Sequence, residues 1–176
     1  MTVFPATSAL RLAQEATEHF VLHGEVVAIP YPLPTLLQLQ RACYVTLYES
    51  PGRRLRAMYG TPLPKQSMLA QEIIMNTIAA IQSHVRGGNI SRGDLASLSY
   101  SVAILGPLER ITSDKHLNPA LYGLHIVSDK SKSATLLPQR SGIETGEEQL
   151  STAWREANIG SGEAVTMYRF SVSYFD

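Results

Sequence analysis

Residues 42–60 read ACYVTLYESPGRRLRAMYG, and the fold is decided on this stretch. Ala42 to Tyr48 is rich in β-branched and aromatic residues, the composition of a strand. Glu49-Ser50-Pro51-Gly52 follows as a strong turn signal, and Arg54 to Tyr59 returns as a second strand. The pair predicts a β-hairpin. Towards the N-terminus, Leu10, Ala13, Ala16 and Phe20 recur at helical spacing within a helix from about Ser8 to His23, with Ser8 as cap and Gly24 as stop. Val26 to Pro34 cannot continue that helix, because Pro30, Pro32 and Pro34 each remove a backbone donor and fix φ. This segment is expected as an extended connection over the core.

Beyond the hairpin, Thr61 to Pro64 breaks the pattern. A second long helix is predicted from about Gln66 to Val85, with Leu69, Ile73, Ile74, Ile78 and Ile81 on one broad face and Gly87-Gly88 ending it. Ser91 with Asp94 three residues on forms a capping arrangement for a single turn. Leu98 to Leu105 reads as a buried strand, and Gly123 to Val127 and Ala134 to Leu137 as two shorter ones. Thr145 with Glu148 opens a third helix, which ends near Asn158-Ile159-Gly160. The last segment alternates, with Tyr168, Phe170, Val172 and Tyr174 on one side of a half-exposed antiparallel strand. Helices interspersed among mostly hairpin-connected strands define an α+β domain, a mostly antiparallel sheet flanked by helices, rather than a doubly wound parallel sheet.

Composition narrows the function classes. The 176 residues carry 15 basic and 15 acidic side chains, and the only basic cluster, Arg53-Arg54-x-Arg56, falls inside the hairpin. No basic stripe for nucleic acid is present, and a formal charge of zero gives little resistance to self-association, so a homo-oligomer is an open expectation. Cys43 is the single cysteine, which excludes an intrachain disulfide and suits a reducing compartment. It stands in an apolar run, the setting of a buried and inert thiol. The N-terminus has no basic segment followed by an apolar core, and no apolar run approaches the roughly 20 residues of a membrane span. A cytoplasmic location is therefore expected. Asn89-Ile90-Ser91 is a glycosylation sequon only in a secreted protein, and Arg92-Gly93-Asp94 reads as the start of a helix rather than a receptor motif.

Side chains able to do chemistry are sparse. His19 and His23 lie four residues apart, so both rings leave one helix face with Glu15 a further turn back; this is half a metal site, or an exposed polar face. No metal and no cofactor is predicted. No serine occupies a Gly-x-Ser-x-Gly elbow, and Gly87-Gly88-Asn89 reads as a helix stop rather than a phosphate cradle. His125, in a buried strand, reads as a hydrogen-bonded core histidine before a general base. Leu136-Leu137-Pro138-Gln139-Arg140 places an amide and a guanidinium after an apolar strand, either as convergent donors or as a solvated strand end.

The order of these segments resembles the AMMECR family, also called AmmeMemoRadiSam system protein A. Ala42-Cys43-Tyr44-Val45-Thr46-Leu47 resembles the family's "GvFVTL", and Leu55-Arg56-Ala57-Met58-Tyr59-Gly60-Thr61 its signature "LRGCIGT". Ser101 to Leu105 with Pro107 and Glu109 follows "VSvLtP.e", Tyr122-Gly123-Leu124 falls at "HGL", Leu136-Leu137-Pro138-Gln139 matches "LPQ", and Tyr168-Arg169-Phe170 lies in the closing strand. The resemblance implies one domain over residues 1–176, a larger lobe around an antiparallel sheet with a small lobe around residues 62–96, and a functional cleft lined by the signature segment. It also implies association with a Memo-like or radical-SAM protein. The departures are specific. The signature glycine is Ala57, its cysteine is Met58, the histidine of "HGL" is Tyr122, and the lysine of a late "KAG" falls at Glu156.

Two functions follow. The first is an accessory or binding protein that recognises a small metabolite or a partner protein through the LRAMYG cleft, with Arg56, Gly60, Pro138 and Gln139 as the ligand-binding positions. The alternative is a small-molecule enzyme in which Tyr59, Tyr122 or His125 moves the proton and Arg56 clamps an anionic substrate.

Overall fold

The hairpin forms as its sequence dictates. In a computed structural model of the chain, which describes residues 5–29, 31–83, 90–160 and 162–176, Cys43–Glu49 (β1) pairs antiparallel with Arg54–Gly60 (β2). Gly52 and Arg53 supply the positive φ values of 101° and 48° that reverse the chain. Leu47 faces Ala57 but Tyr48 faces Leu55, so Arg56 is an extra residue with no partner opposite: a β-bulge in the signature segment. The second edge of β1 pairs antiparallel with Leu98–Leu105 (β3).

The described residues divide into two compact units, one running up to Ile104 and including Tyr174–Asp176, the other spanning Leu105–Ser173. In the first unit Pro5–His23 (α1) and Leu69–Gln82 (α3) pack on each other, and α3 packs on β1 and β2. Its core joins Ala9, Leu12, Ala13 and Ala16 of α1 to Ile73, Ile74 and Ile78 of α3 and to Cys43, Val45 and Leu47 of β1. A buried polar group fixes this packing. Glu72, 1% exposed, accepts the backbone N–H groups of Lys65 (2.9 Å) and Gln66 (2.8 Å) and an amide hydrogen of Asn76 (3.4 Å). The Asn76 amide also donates to the Cys43 carbonyl at 2.9 Å, holding α3 in register on β1.

In the second unit Val165–Phe175 (β7) pairs antiparallel with Glu109–Ile111 (β4) and with Tyr122–Ser128 (β5), and β5 pairs with Ser133–Leu136 (β6). Gly146–Glu156 (α4) packs on β5 and β6 over Leu124, Ile126 and Leu136. Thr145 and Glu148 close the predicted capping box. At the other end Asn158 takes φ 52°, its N–H reaches the Arg155 carbonyl, and Ile159 N–H reaches that of Trp154. That is a Schellman stop with asparagine in the place usually held by glycine. The class is α+β, antiparallel strands flanked by helices.

Several boundaries differ from the sequence expectation. α1 begins at Pro5, which suits a first helical position, so Ser8 lies inside the helix instead of capping it. α3 starts at Leu69 because Lys65 and Gln66 spend their N–H groups on Glu72. Its predicted end at Val85, with Gly87-Gly88, Asn89 and Pro30, lies outside the described residues. Thr35–Gln38 (α2), β4 and the 3₁₀ turn Asp114–His116 are too short to show a period. Along β7 the predicted alternation fails at its end. Tyr174 is exposed, whereas Phe175, which like Tyr174 belongs to the first unit, packs against that unit's core.

Two predictions follow. Glu72→Leu strands two backbone donors and destabilises the protein by about 3 kcal/mol in urea unfolding, whereas Glu72→Gln, which keeps an acceptor oxygen, costs about 1 kcal/mol. In the second unit, Glu163 accepts from Lys132 Nζ (2.6 Å) and from Gly160 N–H (3.0 Å), Lys132 first, which hold its carboxyl down to about 2. A folded pKa below the unfolded one stabilises at higher pH. The advantage of the wild type over Glu163→Gln is therefore full above about pH 5 and fades as pH falls towards about 2, read from urea midpoints across that range.

Candidate functional site

The signature strand β2 presents its residues unequally. Ala57 is buried, whereas Met58, paired with Thr46, is 46% exposed. A thioether cannot ionise to a nucleophile, so the family's cysteine position offers apolar contact only. Gly60 is required by packing: a Cβ there would lie 2.4 Å from Tyr44 Cγ and 2.5 Å from the Cys43 carbonyl oxygen. Tyr59 keeps its hydroxyl 3.5 Å from Lys65 Nζ.

Arg56, the bulge residue, has a side chain only 10% exposed. Its Nη1 lies 3.6 Å from Glu49 Oε2 and 3.5 Å from Asp94 Oδ1. Both carboxylates have closer partners. Glu49 Oε2 pairs tightly with Arg54, and Asp94 Oδ2 accepts from Ser91 Oγ (2.6 Å) and Ser91 N–H (2.8 Å). Those Ser91 bonds, ahead of Arg56, hold the Asp94 carboxyl below its ordinary value. Arg56 Nε is buried and has no hydrogen-bond partner among the described residues.

In the second unit, Tyr122, Pro138 and Gln139 gather at one end of the β5–β6 pair. Gln139 takes φ 60°, its N–H donates to the Pro119 carbonyl (2.7 Å), and its side-chain amide donates to that of Ala120 (3.3 Å). The segment after β6 is thereby latched to the loop entering Tyr122. The Arg169 guanidinium lies 4.5 Å over the Tyr122 ring, held by Glu109 Oε2 and the His116 carbonyl, each at 3.0 Å. His125 is elsewhere. Three residues along an extended strand, it projects from the opposite face of β5 to Tyr122. Its Nδ1 lies 2.9 Å from Thr135 Oγ1 and 3.2 Å from the Ala134 carbonyl, a bond that requires the proton on Nδ1. Its ring stacks on Tyr168, and burial pushes its pKa down, which leaves a neutral imidazole in the sheet. Tyr122 and His125 therefore do not converge on one point. Glu156 forms an ion pair with Arg140 at 2.7 Å, so the reversed charge at this position is met by a neighbour in the same unit.

The remaining candidates fall away from these two clusters. The rings of His19 and His23 meet tilted by 50° with centroids 4.9 Å apart, and His19 faces Glu25 at 3.8 Å. No metal-holding group of three or more His, Cys, Asp or Glu occurs among the described residues. An open groove of about 580 Å³ runs along α4 between Leu150, Trp154 and Ile159, lined by none of the residues chosen from the sequence. Glu49, Asp94, Glu109 and Arg169 were not singled out as site residues in the sequence. Their signals, a turn residue, a cap, a strand end and an outward-facing strand position, all have local explanations.

The Cys43 thiol is fully buried, and its burial pushes the pKa up to about 12 against a weaker opposing bond from Asn76. Iodoacetamide at pH 8 is expected to label Cys43 about a thousandfold or more slowly in the native protein than in denaturant, the reaction passing through unfolding. Comparable rates in the two states would show an accessible thiol.

Comparison with known proteins agrees with the segment order. The AMMECR1 family profile matches residues 10–175. A Thermotoga maritima protein is 34% identical over 168 residues, covering 94% of this chain and 95% of its own. A Clostridium acetobutylicum protein is 33% identical over 166 residues, covering 93% of this chain but 35% of its own, so this chain spans about a third of that relative. An uncharacterized protein from Pyrococcus horikoshii superimposes with a TM-score of 0.85 at 22% identity, covering 97% of this chain and 90% of that one, a likeness of fold. The chain belongs to the AMMECR1 family.

Proposed function

We propose that this chain is a recognition domain, binding a small metabolite or a partner protein through the β2 segment without forming a covalent bond to it. The observation that carries the reading is the placement of Met58. The family's cysteine position is an exposed position of β2, and here it holds an apolar group with no ionisable atom. Exposed apolar surface beside a guanidinium is the composition of a binding surface. Further support comes from the single thiol of the chain, which is buried in β1. An enzyme built on Tyr122 and His125 lacks a common focus, since the two leave β5 on opposite faces. The family resemblance adds a Memo-like or radical-SAM protein as the partner to look for, in the cytoplasm. No helix among the described residues is long and apolar enough to cross a membrane.

Affinity purification of the native protein, followed by mass spectrometry of proteins and small molecules, tests this reading. Met58→Asp changes an exposed side chain, so the melting temperature stays close to that of the wild type, with a stability change within about 0.5 kcal/mol. The co-purifying species is expected to disappear in the variant. Recovery of the wild-type chain alone, or of a ligand indifferent to Met58→Asp, would sink the proposal.

A further inference from the structure

We infer that the bulge at Arg56 is a receiving site for the carboxylate of a small organic acid; this rests on the recognition role proposed for β2. A guanidinium has five N–H donors in a planar fork. The Arg56 side chain is nine-tenths buried, yet among the described residues its acceptor contacts are those of Nη1, at 3.5 and 3.6 Å, longer than the roughly 2.7–2.9 Å of a charge-assisted bond. Nε is buried with no partner among the described residues. A buried donor left in that state costs free energy that an incoming acceptor recovers. Nε and Nη2 form the edge that matches a two-oxygen anion in the bidentate manner. The bulge accounts for the aim of the side chain, because an extra residue turns Arg56 out of the ordinary alternation of β2.

The local charges select the class of ligand. Glu49 and Asp94 both lie beside the guanidinium, so a phosphate dianion meets two like charges. A carboxylate monoanion on the Nε edge brings one charge beside those two carboxylates where phosphate brings two. Glu49 has somewhere to go, since Arg54, on the exposed side of the hairpin, already pairs tightly with the same oxygen. Met58, two residues along β2, offers apolar surface for the carbon body of the acid.

The test uses protein labelled with ¹⁵N-arginine, in which the Nε–H resonance of Arg56 is assigned by its loss in Arg56→Lys. Benzoate and inorganic phosphate are titrated separately at fixed pH and ionic strength. Benzoate is expected to shift the Arg56 resonance saturably and phosphate to leave it in place. Arg56→Lys, which keeps the charge but loses the fork, weakens benzoate binding about tenfold or more. Glu49→Gln, which removes the competing carboxylate, tightens it about tenfold, and this arm keeps the test decisive if Arg56→Lys does not fold. A silent Arg56 resonance with benzoate, an equal response to phosphate, or no gain from Glu49→Gln would overturn the inference. Loss of the co-purifying species in Met58→Asp alongside a silent Arg56 would leave the recognition reading standing and remove only the carboxylate site. A benzoate response with no species dependent on Met58 would do the reverse.

Discussion

The first unit turns on the buried carboxylate of Glu72. Apolar packing of α3 against α1 and β1 selects which face of the helix is inside, but leaf-like contacts among isoleucines leave its position along the axis loosely set. Hydrogen bonds remove that freedom. Glu72 takes two backbone donors from Lys65 and Gln66, and Asn76, one turn on, reaches the Cys43 carbonyl. The chain leaving β2 is thus folded back onto α3, and α3 is pinned to β1. Burying a carboxylate is costly unless donors meet it, and three do so here. The gain is specificity of register.

The exposure of the signature strand follows from that pinning. With β1 held between β2 and β3 and covered by α3, Cys43 is sealed in the core and its thiol kept protonated. β2 is left with Met58 towards solvent and with a bulge that turns Arg56 against Glu49 and Asp94. The second unit reaches a comparable result by other means. There the Gln139 turn, the Pro119–Ala120 backbone and the Arg169–Tyr122 contact fasten the end of β5, while the Lys132–Glu163 pair and the Schellman stop at Asn158 fasten the exit of α4. In both units the charged and polar groups near the family positions mostly bind one another.

The parts of this arrangement visible in the sequence are those set by near neighbours. The hairpin, β3, the Ser91–Asp94 turn and the Thr145–Glu148 capping box depend on residues within a few positions of one another, and each forms where local pattern places it. The start of α3 was hidden because Glu72 claims donors six and seven residues upstream, a tertiary demand that overrides helical periodicity. β4 was hidden because three residues carry no period, only a partner in β7. For the candidate site, Arg56 and Tyr122 were legible as residues but not as surroundings. Nothing local announces that Arg56 is the unpaired residue of a bulge, that Arg169 settles over Tyr122, or that Glu156 answers Arg140.

Where this chain keeps the family's letters and where it departs from them also has a physical pattern. Gly60 and Gly123 sit where a Cβ would come within 2.4 Å of Tyr44 and 2.3 Å of Phe170, so the sheet itself forbids a larger residue. Among the departures, Met58 and Glu156 are exposed and Tyr122 is half-buried. Ala57 is the exception, a buried position that accommodates one added methyl group. The retained glycines therefore speak for the fold, and a match at those letters says little about chemistry. Chemistry has to be argued from the accessible positions, and there this chain offers a thioether, a guanidinium short of partners and a phenol beneath an arginine. Those groups can hold a ligand by apolar contact, by an ion pair and by stacking. None of the three is a nucleophile held in its reactive form, and that is why recognition is the reading that the signature strand supports.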